Sequence, residues 1–173
     1  DALCAGGQEI RFVGGCVRDA LFARNDVGRQ FDIDIATPHT PHQVIALLDN
    51  AGIKNIPTGL AHGTVTAVVD GRHFEITTLR IDVETHGRHA DVAFTDDWQE
   101  DAARRDFTMN ALSCTPEGDL YDPWDGIRDL EAGRVRFVGV AERRIEEDHL
   151  RLLRFFRFHA WYGKGAPDKD GLA

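Results

Sequence analysis

The sequence predicts an α/β (α+β) domain on three observations. They are a strand followed by two glycines and a helix near the start, a hairpin signal at Asp70-Gly71 between two β-rich runs, and a strong helix near the end. At 173 residues the chain suits one domain with a good core, or one domain and the start of another. Its 42% hydrophobic and 28% charged residues are those of an ordinary globular protein, so fibrous and disordered classes are excluded. A formal net charge of −9 argues against a surface that holds nucleic acid by bulk electrostatics and leaves room only for a local basic cleft. Cys4, Cys16 and Cys114 are odd in number and lack metal-knuckle spacing, so they read as reduced, buried thiols of a cytoplasmic protein. No run approaches the length of a membrane span, and nothing at the start has the pattern of a signal peptide. The chain begins at Asp1 without a methionine and stops at Gly171-Leu172-Ala173 without finishing an element, which points to a fragment of a longer protein.

Each element has its own warrant. Glu9 to Val13 is a short apolar-ended strand, and Gly14-Gly15 turns the backbone into a helix from about Cys16 to Phe22. After a polar connection, Asn25 to Gln30, a strand carries Phe31-Asp32-Ile33-Asp34-Ile35 and ends in Ala36-Thr37. Thr40-Pro41 reads as an N-cap and first helical position, Val44, Ile45, Leu47 and Leu48 as a packing set, and Gly52 as the stop. Ile53 to Thr58 is a short strand and Gly59 to Gly63 a loop; Thr64 to Val69 and Arg72 to Leu79 then flank the tight turn at Asp70-Gly71. Asp82 to Asp97, charged and without a sustained period, predicts a long mobile loop. Glu100 to Leu112 is helical in part, Asp119 to Tyr121 a brief strand, Asp122 to Gly126 a turn and Val135 to Val138 a further strand. One helix then runs from about Arg143 to Trp161, and Gly163 to Ala173 is a loop or linker.

Several stretches carry candidate chemistry. Asp32 and Asp34, two residues apart on a strand, point from the same face, and two carboxylates held side by side suit a hard cation such as Mg²⁺. The same alternation also fits an amphipathic strand with a solvated face. Glu75 is a possible third carboxylate, or a solvated strand glutamate. Gly14-Gly15 lets backbone approach an anion at a helix start, with Arg18 as an added cation, although such a pair is also an ordinary tight turn. Asp148, Arg151, Arg154 and Arg157 recur every third residue as one drifting stripe, which spacing alone allows to be a salt-bridged face with Glu147 pairing Arg151. Phe155, Phe156, Phe158, Trp161 and Tyr162 put more apolar surface on this helix than a terminal helix usually exposes, so a longer parent chain is expected to cover part of it.

Four stretches stand in order over nearly the whole chain: Gly14-Gly15-Cys16-Val17-Arg18-Asp19, Asp32-Ile33-Asp34, Arg104-Arg105-Asp106-Phe107-Thr108-Met109-Asn110-Ala111, and Glu147-Asp148-His149-Leu150-Arg151-Leu152-Leu153-Arg154. That combination closely resembles the class II tRNA nucleotidyltransferases, or CCA-adding enzymes, and the bacterial poly(A) polymerases that share their head and neck. The resemblance implies a polymerase-β-like nucleotidyltransferase head, a small mixed sheet flanked by helices, over residues 1–140. It implies the start of a helical neck over 141–173, with the RNA-holding body and tail absent from this chain. It puts magnesium on Asp32 and Asp34 and the triphosphate against Gly14, Gly15 and Arg18. Arg105 would contact phosphate, and Asp106 with Asn110 the sugar region. Asp148 and Arg151 would read the base, with Arg154 and Arg157 lining the same pocket. The activity implied is template-independent transfer of CMP and AMP from CTP and ATP to a tRNA 3′ end, releasing pyrophosphate. Addition of AMP alone, as by a poly(A) polymerase, is the nearest alternative, and a non-catalytic nucleotide-binding module is the alternative of another class.

Overall fold

In the computed structural model, which describes residues 1–22, 32–86 and 89–172, β1 (Arg11–Val13) leads into α1 (Gly15–Phe22). The expectations placed on Asn25 to Gln30, Phe31, Gly87 and Ala173 fall outside those residues. Next come β2 (Asp34–Thr37), α2 (Pro41–Asn50), β3 (Lys54–Gly59), β4 (Thr64–Val69) and β5 (Arg72–Thr78). They are followed by β6 (Arg80–His86), β7 (His89–Phe94), α3 (Trp98–Ala103), β8 (Ser113–Cys114), β9 (Leu120–Tyr121), α4 (Gly126–Ala132), α5 (Ala141–Glu147) and α6 (Leu150–Tyr162). Seven strands form one mixed sheet in the order β3-β4-β5-β2-β1-β8-β9, and β6 pairs with β7 in a separate ribbon. β2 and β5 run parallel, whereas the other neighbouring pairs among the described residues are antiparallel.

Local chemistry explains the elements that frame the site. Thr40 donates its N–H to Gln43 Oε1 at 2.8 Å, Pro41 occupies the first helical position, and Val44 and Leu48, one turn apart, are buried. They pack α2 onto Val65, Ala67 and Ile76 of the sheet. Asp70 and Gly71 both take positive φ, 51° and 74°, as the predicted tight turn requires, and Val69 lies opposite Arg72. A second core gathers Phe107, Met109, Phe137, Phe155, Phe158 and Tyr162, with the Phe107 and Phe158 ring centroids 5.1 Å apart. This aromatic core fastens α6 to the segment around Phe107.

The structure departs from expectation in several places. The stretch Asp82 to Asp97 is no loop: β6 and β7 make a ribbon through its first part and α3 is capped by Asp97 at its end. Ile81-Asp82-Val83-Glu84 does alternate, a period masked by the charges around it. The terminal helix is two, because Asp148 is extended (φ −152°) and turns its carboxylate back onto the N–H of Leu150 at 3.0 Å, as aspartates do where helices start. Val135 to Val138 forms one bridge among the described residues, Phe107 to Phe137, since the segment after Phe107 coils into a 3-10 turn at Thr108–Asn110. β2 starts at Asp34, leaving Asp32 just before the strand. Cys4 is exposed, and Cys16 and Cys114 are only partly buried, rather than buried as expected; all three cysteines are free. Among the described residues no helix is long and apolar enough to cross a membrane. On α6, Phe156 (48% exposed) and Trp161 (62%) stand open, whereas Phe155, Phe158 and Tyr162, expected to add to that open surface, are buried in the aromatic core.

α4 was not expected. Its first turn is held by the Asp122 carboxylate, which accepts the N–H groups of Gly126 at 2.6 Å and Ile127 at 2.9 Å. Gly126 lies against the backbone of Thr108, where an added Cβ would come within 2.2 Å of the carbonyl oxygen. Neither side of that contact is a flexible side chain. Gly126→Ala is therefore expected to destabilise the fold by about 3 kcal/mol, the upper part of the usual overpacking range, read as a lower urea midpoint.

Candidate active site

Glycine stands where the first motif turns. Gly14 has φ +71°, a turn that favours glycine, and the absence of a Cβ leaves room for Arg105 Nη1, which would otherwise lie 2.8 Å from it. Together they open a cavity of about 650 Å³. Gly14, Gly15 and Arg18 reach it from the β1–α1 turn; Arg80 reaches it from the start of β6, and Arg104, Arg105, Asp106 and Asn110 from the end of α3 and the turn after it. Asp148, Leu150, Arg151, Arg154 and Phe158 reach it from the helix break and α6. Six guanidiniums and two carboxylates thus line one cavity in a chain of net charge −9, a local basic cleft inside an acidic protein.

The polar side chains hold one another in place. Asp106 accepts from its neighbour Phe107 N–H at 2.8 Å, from Asn110 Nδ2 at 2.8 Å and from Arg154 Nε at 2.7 Å. Arg18 donates to Asn110 Oδ1 and, through Nε and Nη2, to the Asp19 carboxylate at 2.8 and 2.9 Å. Tyr162 closes that end by donating its hydroxyl to Asp19 Oδ1 at 2.7 Å. Arg157 stands apart from the wall, its guanidinium 5.8 Å from the Phe158 centroid and 5.5 Å from that of Trp161.

Asp32 and Asp34 are not on the cavity wall. The parallel pairing of β2 and β5 puts Asp34 opposite Glu75, while Ile35 and Ile76 face the other way. Burial, then Glu75, then Asp32 push the Asp34 carboxyl above the usual range, and Arg105 only partly opposes them. Among the described residues no three His, Cys, Asp or Glu side chains already converge as a metal-binding group. The donor set nonetheless fits a hard divalent cation: hard oxygens only, with a half-buried carboxylate made costly by its own neighbours.

Sequence reasoning missed Arg80, Arg104 and Asp101. Asp101 is buried at the base of the arginine wall, bonding Arg104 Nη2 at 2.7 Å and Arg105 Nη2 at 3.1 Å. Its spacing of three and four residues from those arginines on a helix was a readable signal. Burial alone would raise its carboxyl pKa, but Arg105 and Arg104 outweigh that and hold it below the usual value. Between its lowered folded pKa and the unfolded value the unfolded chain binds more protons, so stability is full above the unfolded value and is lost as pH falls through the folded one. Asp101→Asn should lower the melting temperature at neutral pH and flatten its fall in acid; an unchanged acid limb would refute this.

Comparison with known proteins decides the family. The model of the family described as the poly A polymerase head domain matches residues 10–136. The chain belongs to that family. It is 53% identical over 165 residues to the human mitochondrial CCA tRNA nucleotidyltransferase 1, covering 95% of this chain and 36% of that protein. It is 45% identical over 163 residues to the CCA-adding enzyme of Oceanobacillus iheyensis, covering 93% of this chain and 39% of that one. Its fold superposes on the crystal structure of the Bacillus stearothermophilus CCA-adding enzyme in complex with CTP with a TM-score of 0.83 at 36% identity, over 98% of this chain and 39% of the other. The chain therefore spans little more than a third of the length of these relatives.

Proposed function

We propose that this head-domain family member takes part in template-independent transfer of CMP and AMP from CTP and ATP to the 3′ end of tRNA. The observation that carries the reading is the single cavity, where an arginine wall fit for a triphosphate meets an acceptor–donor pair, Asp148 and Arg151. The relatives are named for CCA addition, and the structures that share the fold include complexes with CTP and with tRNA. In this reading residues 1–140 are the catalytic head and 141–173 begin the neck. Three free cysteines suit a reducing compartment such as the cytoplasm.

Mg²⁺ would be held by Asp32 and Asp34, with Glu75 beside them. When bound it supplies charge neutralisation of the triphosphate and acidification of the attacking hydroxyl. The protein's own part is position and charge. Arg105 and the missed Arg104 and Arg80 offer guanidiniums to the phosphates. Arg18, held by Asp19 and Asn110 through three of its five N–H donors, orients Asn110 toward the sugar and keeps the other two for the triphosphate. Asp106 then fixes Asn110 and Arg154 together. Arg157, over Trp161, does not line this cavity and has no role in this reading.

The deciding experiment incubates the protein with an RNA that ends just before CCA, Mg²⁺ and each nucleoside triphosphate in turn. Two cytidines followed by one adenosine is the expected product. A run of adenosines would instead support poly(A) synthesis, the reading that the family's own description keeps in play. Binding without incorporation would leave a nucleotide-binding module.

A further inference from the structure

Arg144 belongs to none of the motifs that point to nucleotide chemistry, yet it bonds to both sides of the cavity. It sits in the last turn of α5 and is largely buried. Its Nη2 donates to the backbone carbonyls of Arg104 and Arg105, the latter at 2.9 Å. These carbonyls lie just past the end of α3, where a helix leaves its last acceptors without partners and favours a cation. Its Nη1 donates to Glu147 Oε2, and the same carboxylate oxygen accepts from Arg151 Nη1. Arg151 Nη1 also donates to the carbonyl of Arg144 at 2.9 Å. The guanidinium holds all this while its Nε is buried with no hydrogen-bond partner among the described residues, a cost that the other bonds offset.

We propose that Arg144 is a positioning residue that ties the phosphate side of the cavity to the base-reading turn and thereby sets base selectivity. One end grips the backbone from which Arg105 and Asp106 project. The other end, through Glu147, fixes the guanidinium of Arg151 beside Asp148. Without that tie the arginine wall and the acceptor–donor pair keep their chemistry but lose their spacing. A base that places its amino group and ring nitrogen correctly for one arrangement then gains less over one that does not. Lysine cannot replace it, since a single ammonium does not reach two carbonyls and a carboxylate from opposite ends of a plane. The inference rests on the nucleotidyltransfer reading given above.

The test compares the parent protein with Arg144→Lys, measuring kcat and KM for each of the four nucleoside triphosphates and equilibrium binding of CTP and UTP. The expected result is a rise in KM for CTP and ATP, and a loss of CTP-over-UTP preference, each of at least about tenfold, with kcat changed much less. Because Arg144 and Arg151 act through one carboxylate, the double variant with Arg151→Lys should lose no more preference than Arg151→Lys alone. Glu147→Leu, which removes the shared acceptor at similar volume, should reproduce the loss and stands in if the lysine variant does not fold. A purely structural role would lower stability and slow all four nucleotides alike; kept preference, or penalties that multiply in the double variant, overturns the inference alone. A parent that selects neither cytosine nor adenine nucleotides overturns the functional reading and this inference together.

Discussion

Asp34→Ala removes nucleotide incorporation with all four triphosphates, by roughly a thousandfold or more, while the folded protein melts no earlier than the parent in the presence of a chelator. The two halves of this result come from the same geometry. Asp34 faces Glu75 across the parallel β2–β5 pair and is half-buried, and its neighbours disfavour its charge. Without a cation that charge is a liability, so its removal relieves repulsion instead of opening a hole in the core. With the nucleotide bound, the same carboxylate is one of two the reaction depends on in the proposed mechanism. A carboxylate of purely structural use would give the opposite pattern: lower stability with activity largely kept. The assay is incorporation into RNA with Mg²⁺, beside thermal melts without it, and substantial Mg²⁺-dependent incorporation by the alanine variant would sink the assignment.

Asp148→Ala and Arg151→Ala should erode selectivity rather than abolish incorporation. Cytosine and adenine each present an exocyclic amino donor beside a ring-nitrogen acceptor, whereas uracil and guanine present a carbonyl beside an N–H. A carboxylate only accepts and a guanidinium only donates, so the pair matches the first two bases and meets like groups in the others. The two residues are not on successive turns of one helix. Asp148 lies in the break, accepting the Arg151 N–H on its carbonyl at 2.9 Å, and this turn brings the side chains to one place on the wall. Each unmatched buried polar group costs about 1–3 kcal/mol. That corresponds to roughly 5- to 150-fold in preference for CTP and ATP over UTP and GTP. If both variants keep the parent's preference, the pair does not read the base.

What could be read in the sequence, and what could not, divides along physical lines. Thr40-Pro41, Asp70-Gly71 and the Gly14-Gly15 turn were legible because each depends on backbone preferences of the residues themselves. The arginine and aspartate stretches were legible as a set, and nine of the ten nucleotide-binding candidates do meet in one cavity. The break at Asp148 was hidden because a continuous helix satisfies the same apolar period, and only the competition of one carboxylate for the Leu150 N–H decides against it. The β6–β7 ribbon was hidden by its charges, since a two-stranded ribbon off the main sheet needs little apolar surface. Arg80 and Arg104 were missed for a different reason. Nothing local distinguishes an arginine that lines a cavity from one in solvent, and their place follows from contacts made across the fold.

The bond from Tyr162 to Asp19 spans 143 positions of chain, and that from Arg154 to Asp106 spans 48. Contacts of such reach are slow to form and arrive late, because the loop they close costs entropy that earlier contacts do not recover. While the polypeptide is being synthesised, the sheet through β5 and α2 has all its partners once Thr78 has emerged, apart from β8 and β9 at its far edge. The aromatic core has no such independence, as Phe107 and Phe137 wait for Phe155 and Phe158. A nascent chain held on the ribosome short of α6 would therefore carry a formed sheet beside a bare aromatic surface, with no nucleotide cavity at all. The cavity is completed only when the helix break and α6 dock, and a chaperone that shields exposed phenylalanines would find its substrate in that interval.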